Sequence, residues 1–347
     1  MNINEDASRR FMVKSALMKT ERIMERRRFF KVLSAGAIGV AGLGRGRMAG
    51  KSLLGPAPEN ALPKRPLGRT GEKLSIIGLG GLVLADESQE TADQLVREAV
   101  EHGINYFDVA PSYGNAEDRM GPALKPFRKD VFLACKTLKR DKAGAAEELR
   151  QSLLKLQTDR FDLYQIHALA KTEEVEQALR PDGALEAFLQ AKKEGQVRFI
   201  GFSAHSAEAA LLAMRQFDFD TILFPVNFVS FLKGNFGPQI MALAKEKNMG
   251  ILALKALARQ PWPRGAQRDD WPKCWYQPIL DPEEAALSFR FTLSQPVTAA
   301  VPPGDKRLFR KALELAGRFE PLVSGDEARL RALAGNLRPL FTHPAQG

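Results

Sequence analysis

Cysteine and histidine are scarce in this chain of 347 residues. There are two cysteines, Cys135 and Cys274, and four histidines, His102, His167, His205 and His343. Neither set has metal-ligand spacing, which argues against a structural zinc site. Two cysteines also build no disulfide framework, and only a single bridge between them is left open. Tryptophan is confined to one stretch: all three, Trp262, Trp271 and Trp275, fall between residues 258 and 280. The apolar run VLSAGAIGVAGL at 32–43 has 12 residues, short of the roughly 20 that cross a hydrocarbon core as a helix. A basic body is missing as well. The formal charge is +10, but residues 1–50 carry a net +7 and residues 51–347 only +3. A near-neutral body argues against a nucleic-acid surface. What is plentiful is apolar residue, 44% of the chain, enough for one large core or two ordinary ones.

The charge excess reads as an address. RRRFFK at 26–31 precedes the apolar run, and a basic flank followed by a short apolar stretch is the pattern of a secretory signal. Arg26–Arg27, then Arg28, Phe29, Phe30 and Lys31, resembles the twin-arginine export consensus; Arg9–Arg10 has no apolar run behind it. The resemblance implies a partner, the twin-arginine export machinery, and an exported, periplasmic protein that folds before transport. GRGRMAGKS at 44–52 has no clean A-x-A cleavage site, so retention as an N-terminal membrane anchor stays open. GLGRG at 42–46 follows no strand and opens no helix, and is not a dinucleotide loop. The chain divides into a targeting segment at 1–50, a linker at 51–63 and a body at 64–340.

Across the body, short apolar runs alternate with amphipathic stretches. The expected strands are 75–81, 105–110, 131–137, 161–168, 197–204, 221–228, 250–257 and 297–304. Helical patterns follow at 91–103, 117–124, 143–157, 183–195, 206–217, 237–248, 282–295 and 305–319, with a further one at 325–335. Runs that are apolar on both faces suit parallel strands covered by helices. Gly103, Gly195 and Gly317 stand where left-handed helix caps are wanted. Eight strand–helix units predict a (β/α)8 TIM barrel, with a doubly wound open sheet as the alternative. KRPLGRTGEKLS at 64–75 predicts a hairpin plugging the barrel's bottom. The insertion 258–280 is too long for an idle connection and reads as a substrate lip or an aromatic-stapled cover. Arg259, Arg264 and Arg268 beside its tryptophans hint at a polar or anionic substrate.

In such a barrel chemistry gathers at the C-terminal strand ends. There the second strand delivers Asp108 and its loop Tyr113, the third Lys136 and the fourth His167. Singly, each is explained as a solvated strand end or a core histidine. Together they are chemically coherent. A free phenol, with a pKa near ~10, is a poor proton donor at neutral pH. An adjacent ammonium lowers that value, and a carboxylate keeps the ammonium charged. A histidine can orient a carbonyl. The set suits protonation of a carbonyl oxygen as hydride reaches its carbon. No side chain supplies hydride, so a nicotinamide is implied.

The order of Asp108, Tyr113 in DVAPSYGNAE, Lys136 and His167 resembles the tetrad of the aldo/keto reductases. PLGRTGEKLSIIGLGG and GQVRFIGFS resemble that family too, and the likeness runs from about residue 64 to 320. The resemblance implies Tyr113 as general acid/base, Lys136 and Asp108 tuning it, and His167 orienting a small carbonyl or alcohol substrate. It also implies NADP(H), or NAD(H), extended across the barrel mouth. Cofactor contacts carried over are Ser203, Asn227, Lys255, Gly304, Lys306, Arg307 and Arg310. The last three suit a 2′-phosphate at a helix N-terminus, or form a solvated basic face. The nicotinamide clamp departs from the family pattern: Ala204 replaces an asparagine, Leu223 a glutamine, and Leu254 a stacking aromatic. Three functions stay open: an exported carbonyl reductase or alcohol dehydrogenase, a cofactor-binding or redox-sensing barrel without turnover, and a barrel lyase or isomerase acting on sugars.

Overall fold

The structure, a computed structural model, describes residues 61–344. The twin-arginine segment and linker residues 51–60 lie outside the described residues. β1 (Lys64–Pro66) and β2 (Lys73–Ser75) form an antiparallel hairpin. β3 (Leu79–Gly80), β4 (Tyr106–Asp108), β5 (Phe132–Thr137), β6 (Phe161–Leu169), β7 (Val197–Ala204), β8 (Thr221–Pro225) and β9 (Gly250–Leu254) pair in parallel, each with the next. After a small antiparallel pair, β10 (Ala258–Pro261) and β11 (Tyr276–Pro278), β12 (Ala299–Val301) pairs with β9. A bridge between Ile77 and Ala300 closes the ring, with Gly78 N–H donating to Ala300 O (3.0 Å) and Ala300 N–H to Ile76 O (2.9 Å). The (β/α)8 barrel is thus formed, and the open sheet is excluded.

Strand period decides which side chains meet inside. Tyr106 on β4, Phe132 and Ala134 on β5, Leu163 on β6, Leu223 on β8, Leu252 on β9 and Val301 on β12 make one apolar cluster in the interior. Their neighbours Phe107, Leu133, Cys135, Tyr164 and Ile166 belong to the cluster shared with the surrounding helices. Each fully buried Phe or Leu contributes ~1.5–3 kcal/mol relative to exposure. The hairpin supplies Leu67 and Leu74 to the interior from below. Its fit is close: Gly68, at φ +51°, would bring a Cβ to 2.3 Å from the backbone nitrogen of Gly250. Arg69 Nη2 donates to the carbonyls of Asp218 (2.8 Å) and Phe219 (3.0 Å), and Thr298 Oγ1 donates to Pro66 O (2.9 Å). The hairpin therefore plugs the end opposite the site.

The structure refines the sequence reading at several places. Gly103 (φ +81°) and Gly195 (φ +79°) are left-handed, but Gly317 is the last residue of the helix Lys306–Gly317 and not a left-handed cap. Helices Thr172–Leu179 and Phe228–Leu232 lie where no helix was expected, the second starting at Phe228 inside the expected strand 221–228, which ends at Pro225. The insertion contains the β10–β11 pair. Cys135 and Cys274 are both buried and free, so no bridge joins them. Packing also begins ahead of β1, since Leu62 is buried and its N–H donates to His102 O (3.2 Å). Among the described residues no helix is long and apolar enough to cross a membrane.

Candidate active site

Alternation along β4 and β5 places Asp108 above Tyr106 and Lys136 above Ala134, at the top of the barrel interior. Both are buried, Asp108 at 2% and Lys136 at 0% exposure. They form an ion pair, with Lys136 Nζ donating to Asp108 Oδ1. The other carboxylate oxygen accepts from Tyr106 OH (3.2 Å) and from Gln165 Nε2 (3.2 Å). Burial works against charge on Lys136, but Asp108 overcomes it and holds the ammonium above its ordinary value. Lys136 Nζ also lies 3.4 Å from Tyr113 OH and 5.0 Å from the centre of that ring. The His167 ring meets the Tyr113 ring edge to face at 5.8 Å between centres. The four predicted residues converge.

Their ionisation departs from the sequence expectation at one point. Lys136 does pull the Tyr113 phenol down, but burial, the largest influence, pushes it up, and Asp108 adds to that push. The net effect is a raised value, so the Tyr113 phenol is neutral at neutral pH. Burial, then the charges of Lys136, His205, Arg140 and Lys255, lower His167 to about 2. The imidazole is neutral, and its Nδ1 is buried without a partner. Backbone contacts fix it. Arg140 Nη2 donates to His167 O (2.7 Å), and Ser203 Oγ accepts from the N–H of Ala168 (2.7 Å), the next residue, which is left-handed at φ +58°. Ser203 therefore positions His167 and keeps its own hydroxyl proton to donate.

The residues assigned to a cofactor divide. Asn227 is consumed by the fold. Its Oδ1 accepts from Val229 N–H and Ser230 N–H (3.1 Å each), and its Nδ2 donates to Ala258 O (2.6 Å) and Lys255 O (3.3 Å). It caps the helix Phe228–Leu232 and ties β8 to the insertion, so its side-chain groups are already engaged within the fold. Lys306, Arg307 and Arg310 lie on the helix after β12, each with a carboxylate. Lys306 meets Glu87 (3.0 Å), Arg307 meets Asp305 (2.9 Å) and Arg310 meets Glu98 (2.9 Å). Asp305 also caps that helix by accepting from Arg307 N–H (2.8 Å). The cations are about half exposed, whereas Glu87, Asp305 and Glu98 are largely covered, so the cations stay reachable from solvent while their carboxylates are held in the fold. Gly304 lies against Leu82, where a Cβ would come within 2.4 Å of Cγ. It is needed for packing of the loop after β12 on the loop after β3. Lys255 is half-buried and left-handed at φ +70°. Its Nζ lies 5.0 Å from the Tyr276 ring centre and 5.3 Å from that of Trp275.

The mouth is walled by two segments. In the insertion, Trp262 Nε1 donates to Cys274 O (2.9 Å), and the Arg307 guanidinium stacks on Trp271 at 3.9 Å. Lys273 reaches Glu87 (3.4 Å) on the loop after β3. The insertion is thus a lip over the mouth and an aromatic-stapled cover at once. The chain's last described stretch returns as a second wall. Phe341 stacks on His205 (5.4 Å) and meets Trp275 edge to face (6.0 Å). Of the insertion arginines, Arg259 is held by Glu284 (3.0 Å), while Arg264 and Arg268 are exposed. The sequence reading passed over Gln165, Tyr106, His205 and Phe341. Gln165 and Tyr106 had a signal, since each stands two residues before His167 or Asp108 on the same strand face. Phe341 had none. Among the described residues no cluster of His, Cys, Asp or Glu could hold a metal.

Known proteins share this frame. The chain is 35% identical over 155 residues to an uncharacterized oxidoreductase, YqkF, of Bacillus subtilis, covering 41% of this chain and 48% of that one. It is 34% identical over 154 residues to L-galactose dehydrogenase of Arabidopsis thaliana, covering 40% and 47%. The chain thus spans about half the length of these curated relatives. The fold is shared with the solved aldo-keto reductase AKR11C1 from Bacillus halodurans in its holo form, at a TM-score of 0.62 and 23% identity over 81% of this chain and 98% of that one. A model described as the aldo/keto reductase family matches residues 76–275, more than half of the sequence, and this chain belongs to that family.

Proposed function

We propose that the protein is an NADP(H)- or NAD(H)-dependent oxidoreductase that interconverts a carbonyl and an alcohol. The observation that carries this reading is the Tyr113 phenol, flanked by the Lys136 ammonium at 3.4 Å and the neutral His167 ring at 5.8 Å. The residues suit a nicotinamide dinucleotide in part. The Ser203 hydroxyl retains a donor proton, and Lys306, Arg307 and Arg310 are about half-exposed cations that a phosphate can reach; the Asn227 side chain is already engaged within the fold. When bound, the nicotinamide supplies or accepts hydride. In reduction Tyr113 gives its proton to the carbonyl oxygen, and the buried Lys136–Asp108 pair stabilises the phenolate left behind. His167 lends a hydrogen bond from neutral imidazole and orients the oxygen.

The decisive experiment pairs turnover with nucleotide binding. Protein purified without added nucleotide is analysed by absorbance and mass spectrometry, then assayed on aldehydes, ketones and sugars with NADPH and NADH. Tyr113→Phe is expected to lose at least ~100-fold in kcat while binding nucleotide as the parent does. Undiminished turnover in that variant removes Tyr113 from its role. Nucleotide binding without turnover on any substrate favours the sensing barrel, a reading to which the structural use of Asn227 lends weight. The lyase or isomerase reading finds support only if neither nucleotide binds.

The same proposal includes export. The RRRFFK segment motivates transport through the twin-arginine machinery to the periplasm after folding. Cell fractionation of the wild type and of an Arg26→Lys/Arg27→Lys variant tests it. Accumulation of both proteins in the same compartment rejects the route.

A further inference from the structure

Beside the Tyr113–His167 pair lies a second set of polar groups that the proton-transfer chemistry does not use. Four segments build it. The end of β7 supplies His205, the end of β9 supplies Lys255, the insertion supplies Trp275 and Tyr276, and the returning C-terminal stretch supplies Phe341. They form a continuous chain of contacts. Lys255 Nζ stands over Trp275 and Tyr276, Trp275 touches Phe341, and Phe341 stacks on His205 with an interplanar angle of 7°.

Each polar member lacks the partner its burial calls for. His205 Nε2 is buried with no hydrogen-bond partner. At the mouth Lys136 is compensated by Asp108 and Arg140 by Glu174. Lys255 has no carboxylate within ion-pair distance among the described residues, and aromatic faces alone hold its ammonium. Backbone strain accompanies it: φ is +70° at a residue with a long side chain. Such strain concentrates at functional sites. Burial and the Lys255 charge keep His205 neutral at neutral pH, with a pKa lowered to about 4. Lys255 itself, lowered to about 8 mainly by burial, still carries its proton there. A charged ammonium and a neutral imidazole that can donate from Nε2 make a two-donor site for an anion. Trp275 forms an aromatic wall, half exposed to the approach from solvent. His205 directly follows β7 and Lys255 directly follows β9, so both stand at the C-terminal strand ends, the same end of the barrel as the tetrad.

We infer that His205 and Lys255 form a subsite for a carboxylate on the substrate, so that the preferred substrates are aldehydes or ketones bearing a distal carboxylate, over an aromatic or apolar spacer that lies on Trp275 and Phe341. This inference rests on the reductase reading above. It gives Lys255 a substrate role in place of the cofactor contact the resemblance implied. The competing anion is the cofactor's own phosphate, and the test separates the two.

The experiment compares 4-carboxybenzaldehyde with its methyl ester, which share a frame and differ in charge, and adds fluorescence titration with NADPH. The wild type is expected to favour the acid by about tenfold or more in kcat/KM, as a charged hydrogen bond warrants. In Lys255→Met the acid-to-ester ratio falls to near one, the change lying in KM for the acid. His205→Phe keeps the stack on Phe341 and lowers the same ratio severalfold. Equal use of acid and ester by the wild type overturns the inference. So does a Lys255→Met protein that keeps the wild-type ratio and loses NADPH affinity, since the ammonium then serves the cofactor. If the wild type turns over neither aldehyde, benzoate binding decides. Thermal protection by benzoate that Lys255→Met abolishes upholds the subsite while the reductase reading fails. No protection, or equal protection of both proteins, overturns it.

Discussion

Removing the charge of Asp108 tests the electrostatic frame of the site apart from any reaction. Asp108→Asn keeps the shape and leaves the Lys136 ammonium buried beside a phenol and the Val109 carbonyl (3.4 Å). Stranding one partner of a buried ion pair costs about 3–5 kcal/mol. For a barrel of this size that lowers the Tm by on the order of 10 °C. Lys136→Met strands the carboxylate instead, which keeps its bonds from Tyr106 and Gln165. The double variant buries neither charge, so its loss should fall short of the summed single losses by about 2–3 kcal/mol. The variants also differ in pH dependence. In the wild type Asp108 holds Lys136 above its ordinary value, so the stability from this lysine is fully present below ~10.4, its unfolded value, and is lost only above that. In Asp108→Asn no carboxylate opposes burial, the largest influence, which depresses Lys136, so the unfolded chain binds the extra proton and stability rises with pH toward ~10.4. Thermal melts of the four proteins from pH 7 to 10 measure this. A Tm within ~2 °C of the parent for Asp108→Asn, about 1 kcal/mol or less, would refute the buried pair. Strict additivity in the double variant would do the same.

Other outcomes follow from the same geometry. Because Tyr113 is raised, reduction should be flat through neutral pH and fall only as the phenol ionises, above ~10. Alcohol oxidation should rise toward alkaline pH, and pH profiles in both directions with Tyr113→Phe as the blank check this. His167 and His205 are held neutral, at about 2 and about 4. Their contribution is full above the unfolded value of ~6.5 and is lost as pH falls toward those folded values, so melts between pH 7 and 4 should steepen in the wild type and flatten in His205→Phe. Asn227→Ala should lose about 1–2 kcal/mol of stability through the missing helix cap with unchanged nucleotide affinity; a loss of affinity without a loss of Tm would restore Asn227 to the cofactor.

The tetrad was legible because Asp108, Lys136 and His167 stand at the ends of apolar runs and Tyr113 in the loop that follows one, and period-two alternation projects Asp108 and Lys136 into the barrel above Tyr106 and Ala134. Strand counting likewise predicted the barrel, since eight evenly spaced units have a natural closure. What distance along the chain conceals was not legible. Lys306 and Arg310 look like phosphate ligands in isolation; that Glu87 and Glu98 hold them depends on contacts between residues more than 200 apart in sequence. Asn227 looks like a clamp until the insertion returns Ala258 to its amide. The Tyr113 phenol is set by burial as much as by Lys136, and burial is a property of the closed mouth.

The sequence by itself determined the strand–helix alternation, the plugging hairpin and the placing of the four tetrad residues at one end of the barrel, because local periodicity dictates which way the strand residues point and the loop after β4 carries Tyr113. Only the tertiary structure decided how they ionise, which cations find carboxylates, and that Phe341 and Trp275 wall one mouth with His205 and Lys255. Those properties arise from desolvation and long-range contact, which no short stretch of chain encodes alone.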